Sequence, residues 1–155
     1  MSRFQSSKVF DGFSCVFRQW RAEGTHCKFL HGYGVSFRID FEGELDEKNW
    51  VWDFGGMKRA KNTIDGMNPK AWMDYMFDHT LVIAEDDPWL EAFKQMDTAQ
   101  VAQIRVLPNV GAEKFAEYIF NKVNDFVQIE TDGRVRVTQV EFREHDRNTA
   151  SFKSN

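Results

Sequence analysis

One short segment of the chain brings together residues that can do thiol chemistry. His26 and Lys28 flank Cys27, and His31 follows four residues after the cysteine. Neighbouring cations favour the thiolate, which is the nucleophilic and basic form of cysteine. The segment therefore favours a functional Cys27, with a small buried hydrophobe as the alternative.

The adjacent Asp78 and His79 are candidates for a proton relay. A carboxylate that binds one imidazole nitrogen fixes the tautomer and leaves the other nitrogen free as an acid or base. The preceding Phe77 indicates partial burial of the pair. The alternative is a turn that carries two solvated polar side chains.

Glu144 is a candidate for ligand binding, because alternation places it on the same strand face as Val140 and Phe142. A carboxylate there can accept two parallel N–H bonds from a guanidine-like ring edge, as carboxylates do from arginine. The alternative is a salt bridge with Arg143 or Arg147 at the strand end.

The spacing of the histidines argues against a zinc site. The chain has 4 histidines, and no two of them are separated by a single residue. Zinc needs three or four ligands. His31 and His26 remain candidate metal ligands, with Cys27 as a further partner, and the alternative for His31 is a hydrogen-bonded histidine at a strand start.

Composition predicts a single domain, residues 1–155, with an aromatic-rich core. The chain has 155 residues, of which 42% are hydrophobic and 15 are phenylalanine. A formal charge of −4 argues against nucleic-acid binding, which needs a basic patch. Two cysteines, no signal-like N-terminus and no run of about 20 apolar residues predict a cytoplasmic protein with free thiols and no membrane partner.

Hydrophobic patterning predicts the elements that position these residues. Strands are expected over residues 8–20 and 31–42, and a helix capped by Asp53 over 54–64. The clearest helix spans 111–127, where Phe115, Ile119, Val123 and Phe126 form an apolar stripe. Shorter elements are a helix at 70–76, a strand at 80–84, a helix at 88–96, a strand at 101–107, a last strand at 135–144 and a fraying end at 149–155. This order predicts an α+β domain with an antiparallel sheet and helices on one face.

Six segments in order resemble the 6-pyruvoyl-tetrahydropterin synthase and 6-carboxy-tetrahydropterin synthase family. The family's F-x-A-A-H, C-x-x-L-H-G-H and L-D-H correspond to residues 13–17, 27–33 and 77–79. The other matches are residues 49–58, residues 110–113, and Glu144 with Phe152 eight residues later. The likeness runs from about residue 10 to residue 152.

The resemblance implies the tunnelling fold (T-fold), a four-stranded antiparallel sheet with helices on its outer face. Subunits of that family pair their sheets into an oligomeric barrel, usually a hexamer of two trimers, with active sites at subunit interfaces. A homo-oligomer is therefore expected, and closure of the barrel removes exposed sheet edges.

The resemblance also implies roles for five residues. Cys27 matches the family's catalytic cysteine, a general base at the substrate side chain. Asp78 and His79 match its proton relay. Glu144 matches the glutamate that anchors the pterin ring edge, and Glu113 stands where a residue supports the pterin pocket.

The implied substrate is 7,8-dihydroneopterin triphosphate. In the bacterial branch the implied product is 6-carboxy-tetrahydropterin, a precursor of the deazapurine queuosine. Arg18, Arg21 and Lys28 are candidates to meet the triphosphate, on the basis of charge alone.

The chain departs from the family at the metal site. The family binds zinc through three histidines, but Phe17 stands at the first position and Tyr33 at the third, so only His31 remains. Phenylalanine cannot ligate zinc, and tyrosine is not among its usual ligands.

Three hypotheses follow: an enzyme with a metal site rebuilt around His26 and His31, a metal-free enzyme, or a pterin- or purine-binding module without lyase activity. Retention of Cys27, Asp78 and His79 together favours an enzyme, a lyase or synthase of this family.

Overall fold

A single sheet backed by helices forms the protein, and the computed structural model describes residues 2–155. Its strands are β1 Phe4–Phe17, β2 His31–Gly43, β3 Thr80–Ala84, β4 Ile104–Leu107, β5 Val135–His145 and β6 Asn148–Lys153. Its helices are α1 Gly56–Arg59, α2 Pro69–Phe77, α3 Leu90–Thr98 and α4 Ala112–Glu130, and a short 3-10 turn spans His26–Lys28.

The α+β class is confirmed, but the expected count of four strands is wrong. The sheet has six strands in the order β4-β3-β1-β2-β5-β6. Strands β1, β2, β5 and β6 pair antiparallel, whereas β3 and β4 join in parallel beside β1. Parallel pairing requires a crossover connection, and α3 supplies it between β3 and β4.

The C-terminal residues form an ordered strand, so the expected fraying is wrong for most of them. Strand β6 pairs with β5, and the Phe152 ring packs edge-on against Phe120 of α4 at 4.9 Å. This contact buries apolar surface that a free end would expose to water.

The main core lies between the antiparallel strands and α4. Phe37 stacks on Phe13 at 5.2 Å, and the predicted stripe of α4 is buried from Phe115 to Phe126. Leu81 and Ile83 instead join a second cluster that includes Leu90 of α3. Because alternate strand residues point to opposite faces, α3 covers the other face of β3, so the helices do not all lie on one face.

Helix α1 is much shorter than the predicted helix over 54–64. The Asp53 carboxylate does accept a hydrogen bond from the Gly55 N–H at 2.8 Å, as a cap would. Two glycines at its start weaken the helix, and the turn between Ile64 and Met67 replaces its second half.

Across residues 2–155 every helix is too short or too polar to cross a membrane.

Candidate functional site

The 3-10 turn His26–Lys28 presents Cys27 at the surface as a free, exposed thiol. The Thr25 hydroxyl accepts a hydrogen bond from the Cys27 N–H at 3.2 Å, and the Cys27 carbonyl accepts one from the Gln19 N–H at 2.8 Å. The turn is therefore fixed at both its start and its middle.

A buried ion pair ties this turn to the sheet. Arg18 binds both carboxylate oxygens of Asp87, at 2.8 and 2.6 Å, and also donates to the Lys28 carbonyl at 3.3 Å. Burial alone would raise the pKa of Asp87, but the hydrogen bonds from Arg18 and the Trp89 N–H hold that pKa below its usual range. The Arg18 guanidinium thus holds the turn in place through Asp87 and the Lys28 carbonyl. Its donors are already used, so we no longer expect Arg18 to bind a triphosphate.

Strand pairing brings four aromatic or imidazole rings together beside the turn. Phe17 pairs with His31 across β1 and β2, and Cys15 pairs with Tyr33. The ring centroids of Phe17 and His31 lie 5.6 Å apart, those of His31 and Tyr33 5.0 Å, and those of Tyr33 and His145 5.5 Å. We call Phe17, His31, Tyr33 and His145 the aromatic–imidazole cluster.

Glu144 is half-buried beside this cluster, at an irregularity of β5 between Arg143 and His145. Burial raises the pKa of the Glu144 carboxyl, and the negative charge of Glu113 raises it further, against the lowering effects of His145 and His31. Glu113 therefore favours the protonated form of Glu144, and the expected binding roles of both residues stay predictions.

Tyr33 lies on the strand that follows the Cys27 turn, and its ring contacts His145, the residue after Glu144. Burial raises the pKa of the Tyr33 phenol first, and the charges of Glu144 and Cys27 add to that shift. The phenol therefore stays protonated. We call Cys27, Tyr33 and Glu144 the first half-site.

Asp78 and His79 form a second half-site at the start of β3. Asp78 follows α2, and its Oδ1 accepts hydrogen bonds from the Ser14 N–H at 3.1 Å and from His79 Nδ1 at 3.0 Å. The Ser14 N–H is the main cause that lowers the pKa of Asp78. Because a carboxylate only accepts, Nδ1 carries the proton and Nε2 is left free.

The two half-sites lie on opposite faces of the sheet. His79 borders a cavity of about 230 Å³ that Ser14 and Val16 also line, whereas Phe17 and Tyr33 face the main core. One subunit therefore holds the two groups of predicted residues apart.

The residues at the implied zinc position do not fit a zinc ion. In the described part of the chain no group of three or more His, Cys, Asp or Glu side chains is arranged to hold a metal. His26 lies on the exposed turn, and Phe17 is 2% exposed in the core. The rebuilt site around His26 and His31 therefore lacks a third ligand.

Sequence reasoning missed His145 and the positioning pair Arg18–Asp87. His145 directly follows Glu144, but regular alternation would turn it to the other face, and only the irregularity of β5 brings it to Tyr33. No sequence signal joins Arg18 to Asp87, which are 69 residues apart.

Comparison with solved structures identifies the class of fold. The chain resembles an uncharacterised protein from Wolinella succinogenes with a TM-score of 0.81 and 20% identity, over 100% of both chains. It resembles the 6-pyruvoyl tetrahydropterin synthase of Caenorhabditis elegans with a TM-score of 0.64 and 17% identity, over 100% of this chain and 98% of that one. The fold is the T-fold of these synthases.

Sequence comparison then gives the family. The family profile described as 6-pyruvoyl tetrahydropterin synthase matches residues 7–155, and the chain belongs to that family. The 6-carboxy-5,6,7,8-tetrahydropterin synthase of Rickettsia typhi is 29% identical over 120 residues, 76% of this chain and 78% of that relative. The protein of that name from Rickettsia felis is 29% identical over 99 residues, 63% of this chain and 64% of that relative.

Proposed function

We propose that this chain is a lyase like 6-carboxy-tetrahydropterin synthase and acts on 7,8-dihydroneopterin triphosphate, on the route to queuosine. The family membership and the names of the relatives support the reaction class. The single observation that carries the proposal is the first half-site, where the turn with the exposed Cys27 thiol leads into β2 and the half-buried Glu144 stands beside His145, whose ring contacts Tyr33 of that strand.

Glu144 holds the substrate in this proposal. Its carboxylate accepts paired N–H bonds from the pterin ring edge, which has the donor geometry of a guanidinium. Glu113 supports the pocket from the first turn of α4 and keeps the local potential negative. This potential favours a ring edge that donates hydrogen bonds.

Cys27 and the Asp78–His79 pair move protons. Cys27 takes a proton from the substrate side chain as a thiolate base. Asp78 fixes the tautomer of His79, whose free Nε2 then accepts or returns a proton at the substrate. Both groups must reach one substrate, although they lie on opposite faces of a single subunit.

A homo-oligomer, in the form of a hexamer of two trimers, resolves that separation. Cys27 of one subunit then meets Asp78 and His79 of another across an interface. The observation that supports this assembly is the cavity beside His79, which Ser14 and Val16 line on the face opposite Phe17 and Tyr33.

Turnover tests the proposal directly. The purified protein is incubated with 7,8-dihydroneopterin triphosphate, and substrate loss is followed by liquid chromatography. Cys27→Ala abolishes turnover, whereas Cys15→Ala, which removes the buried thiol, retains it. Full activity of Cys27→Ala would show that the role of Cys27 is wrong.

Mixing two inactive variants tests the shared site. Cys27→Ala and His79→Ala are unfolded together and refolded at equal amounts. If subunits assort randomly, about one quarter of the sites regain both groups, and activity returns to that share of wild type. If the mixture stays inactive while each variant assembles, the two half-sites do not meet between subunits.

A second candidate is a pterin- or purine-binding module without lyase activity. The replacement of two expected zinc ligands by Phe17 and Tyr33 favours it. Tight neopterin binding by the wild type, without turnover of the triphosphate, would decide for this alternative.

A further inference from the structure

The position where the family holds zinc is occupied here by the aromatic–imidazole cluster. Paired residues of an antiparallel strand pair share a face, and so do residues two apart on one strand. Phe17, His31 and Tyr33 therefore point to one place, as three ligands would. Their rings fill that place, with Phe17 and Tyr33 at 5.8 Å between centroids.

The cluster offers too few lone pairs for a metal. Phe17 carries none, and its ring packs edge-on against Phe115 of α4 at 5.0 Å. His31 Nδ1 lies 2.7 Å from the Phe29 carbonyl, which only accepts, so Nδ1 carries the proton. Only His31 Nε2 is left as a nitrogen ligand from the three family positions, and zinc needs at least three protein ligands.

We infer that this chain binds no zinc at the family's position, and that the Tyr33 hydroxyl instead donates a hydrogen bond to the bound pterin. The part about Tyr33 rests on the proposed function, and the part about zinc does not. A phenol is protonated at neutral pH and can donate one hydrogen bond. It cannot polarise an oxygen as strongly as a metal ion does.

The surroundings of Tyr33 support this role. The Tyr33 ring is wedged between His31 and His145, which fixes its direction. Strand β2, which carries Tyr33, follows the Cys27 turn directly and pairs with β5, which carries Glu144. The Tyr33 hydroxyl is therefore held between the elements that carry the groups proposed to take the proton and to hold the ring.

Zinc content tests the first part. The wild type and His31→Ala are purified without chelators, dialysed against zinc and analysed for metal. Both are expected to hold the same small amount of zinc per subunit. A wild type with about one zinc per subunit that His31→Ala loses would overturn the inference.

A gain of metal binding provides the positive control. The double substitution Phe17→His and Tyr33→His supplies the missing nitrogens, and this variant is expected to bind about one zinc per subunit. Adding His31→Ala to it should remove the metal. About one zinc per wild-type subunit, lost on His31→Ala, would refute the inference, whether or not the double variant is stable.

Neopterin binding tests the second part, because neopterin lacks the triphosphate and binding is read without turnover. Tyr33→Phe is expected to weaken neopterin binding about fivefold, the effect of one neutral hydrogen bond. Tyr118→Phe, which removes a phenol hydroxyl from α4, should leave affinity unchanged.

Two outcomes would overturn the role of Tyr33 in different ways. Equal affinity of Tyr33→Phe and wild type refutes the hydrogen bond and leaves the proposed function intact. No neopterin binding by the folded wild type refutes both the hydrogen bond and the proposed pterin site, while the zinc measurement remains valid.

Discussion

The substitution Asp87→Asn tests whether the Arg18–Asp87 pair holds the turn that carries Cys27. Asparagine keeps an oxygen that can accept from the Trp89 N–H, a bond of 2.9 Å in the structure. It loses the negative charge and places an amide N–H₂ against the Arg18 guanidinium, where donor would meet donor. The change is therefore confined to the ion pair.

The expected loss of stability is large because the pair is buried. The side chain of Asp87 is 0% exposed and that of Arg18 is 18% exposed. Removing one partner of such a pair costs about 3–5 kcal/mol, and the partial exposure of Arg18 favours the lower end, about 3 kcal/mol. For a chain of this length that loss lowers Tm by roughly 6–12 °C.

The assay is urea denaturation with thermal unfolding as a second measure, and Asp86→Asn is the matched control. Asp86, the residue before Asp87, pairs with Arg21, but the two side chains are 48% and 73% exposed. Solvent therefore screens this pair, and the midpoint of urea denaturation should barely move for Asp86→Asn. A loss below about 1 kcal/mol for Asp87→Asn would refute the reasoning.

The same pair gives a pH dependence with a defined sign. Because its folded-state pKa is depressed, Asp87 contributes its full stability above its unfolded pKa of about 3.9. That contribution is lost as the pH falls through the folded-state pKa. The difference in stability between wild type and Asp87→Asn should therefore shrink below about pH 4.

Three further predictions concern the thiols, the carboxylates and the core. Iodoacetamide should label only Cys27 in the native chain, because Cys15 is buried and burial raises the pKa of its thiol to about 12. Two labels per chain in mass spectrometry would contradict this prediction. Glu113→Gln should lower the pKa of Glu144, because it removes a negative charge that raises that pKa. Neopterin binding needs the Glu144 carboxylate, so binding titrations should show that it persists to lower pH. An unchanged pH dependence of binding would exclude this charge interaction. Phe115→Ala should lower the free energy of unfolding by about 3–5 kcal/mol in urea denaturation, because Phe115 is 0% exposed. A decrease below about 1 kcal/mol would show that the core around Phe115 is loosely packed.

Hydrophobic patterning predicted the elements whose signals are local. Strand β3 was predicted at its observed bounds, Thr80–Ala84, and α4 within a few residues of Ala112–Glu130. The patterning predicted five of the six strands and missed β6, which carries no strong alternation and forms by pairing with β5. The count of four, which the resemblance implied, was wrong because β3 and β4 extend the antiparallel strands. Propensity describes a segment alone, whereas sheet membership depends on neighbours.

The candidate site was predictable as a set of residues but not as an arrangement. The motifs pointed to Cys27, Asp78, His79 and Glu144 by type and order. They could not show that Asp78 binds the Ser14 N–H, or that His79 borders a cavity on the face opposite Tyr33, because register decides which residues meet. Their catalytic and binding roles stay predictions, as does the extent of the domain.

Strand β1 contributes a residue beside each half-site, so the spacing of residues along this one strand affects both. Ser14 holds Asp78 through its N–H, and Phe17, three residues later, closes the aromatic–imidazole cluster. Side chains at an odd spacing point to opposite faces, so Ser14 lines the cavity beside His79 while the Phe17 ring lies in the core, and insertion of one residue between them would turn one of these side chains to the other face. Exposed Ser14 should therefore tolerate a change of side chain far better than the stretch from Ser14 to Phe17 tolerates a change of length.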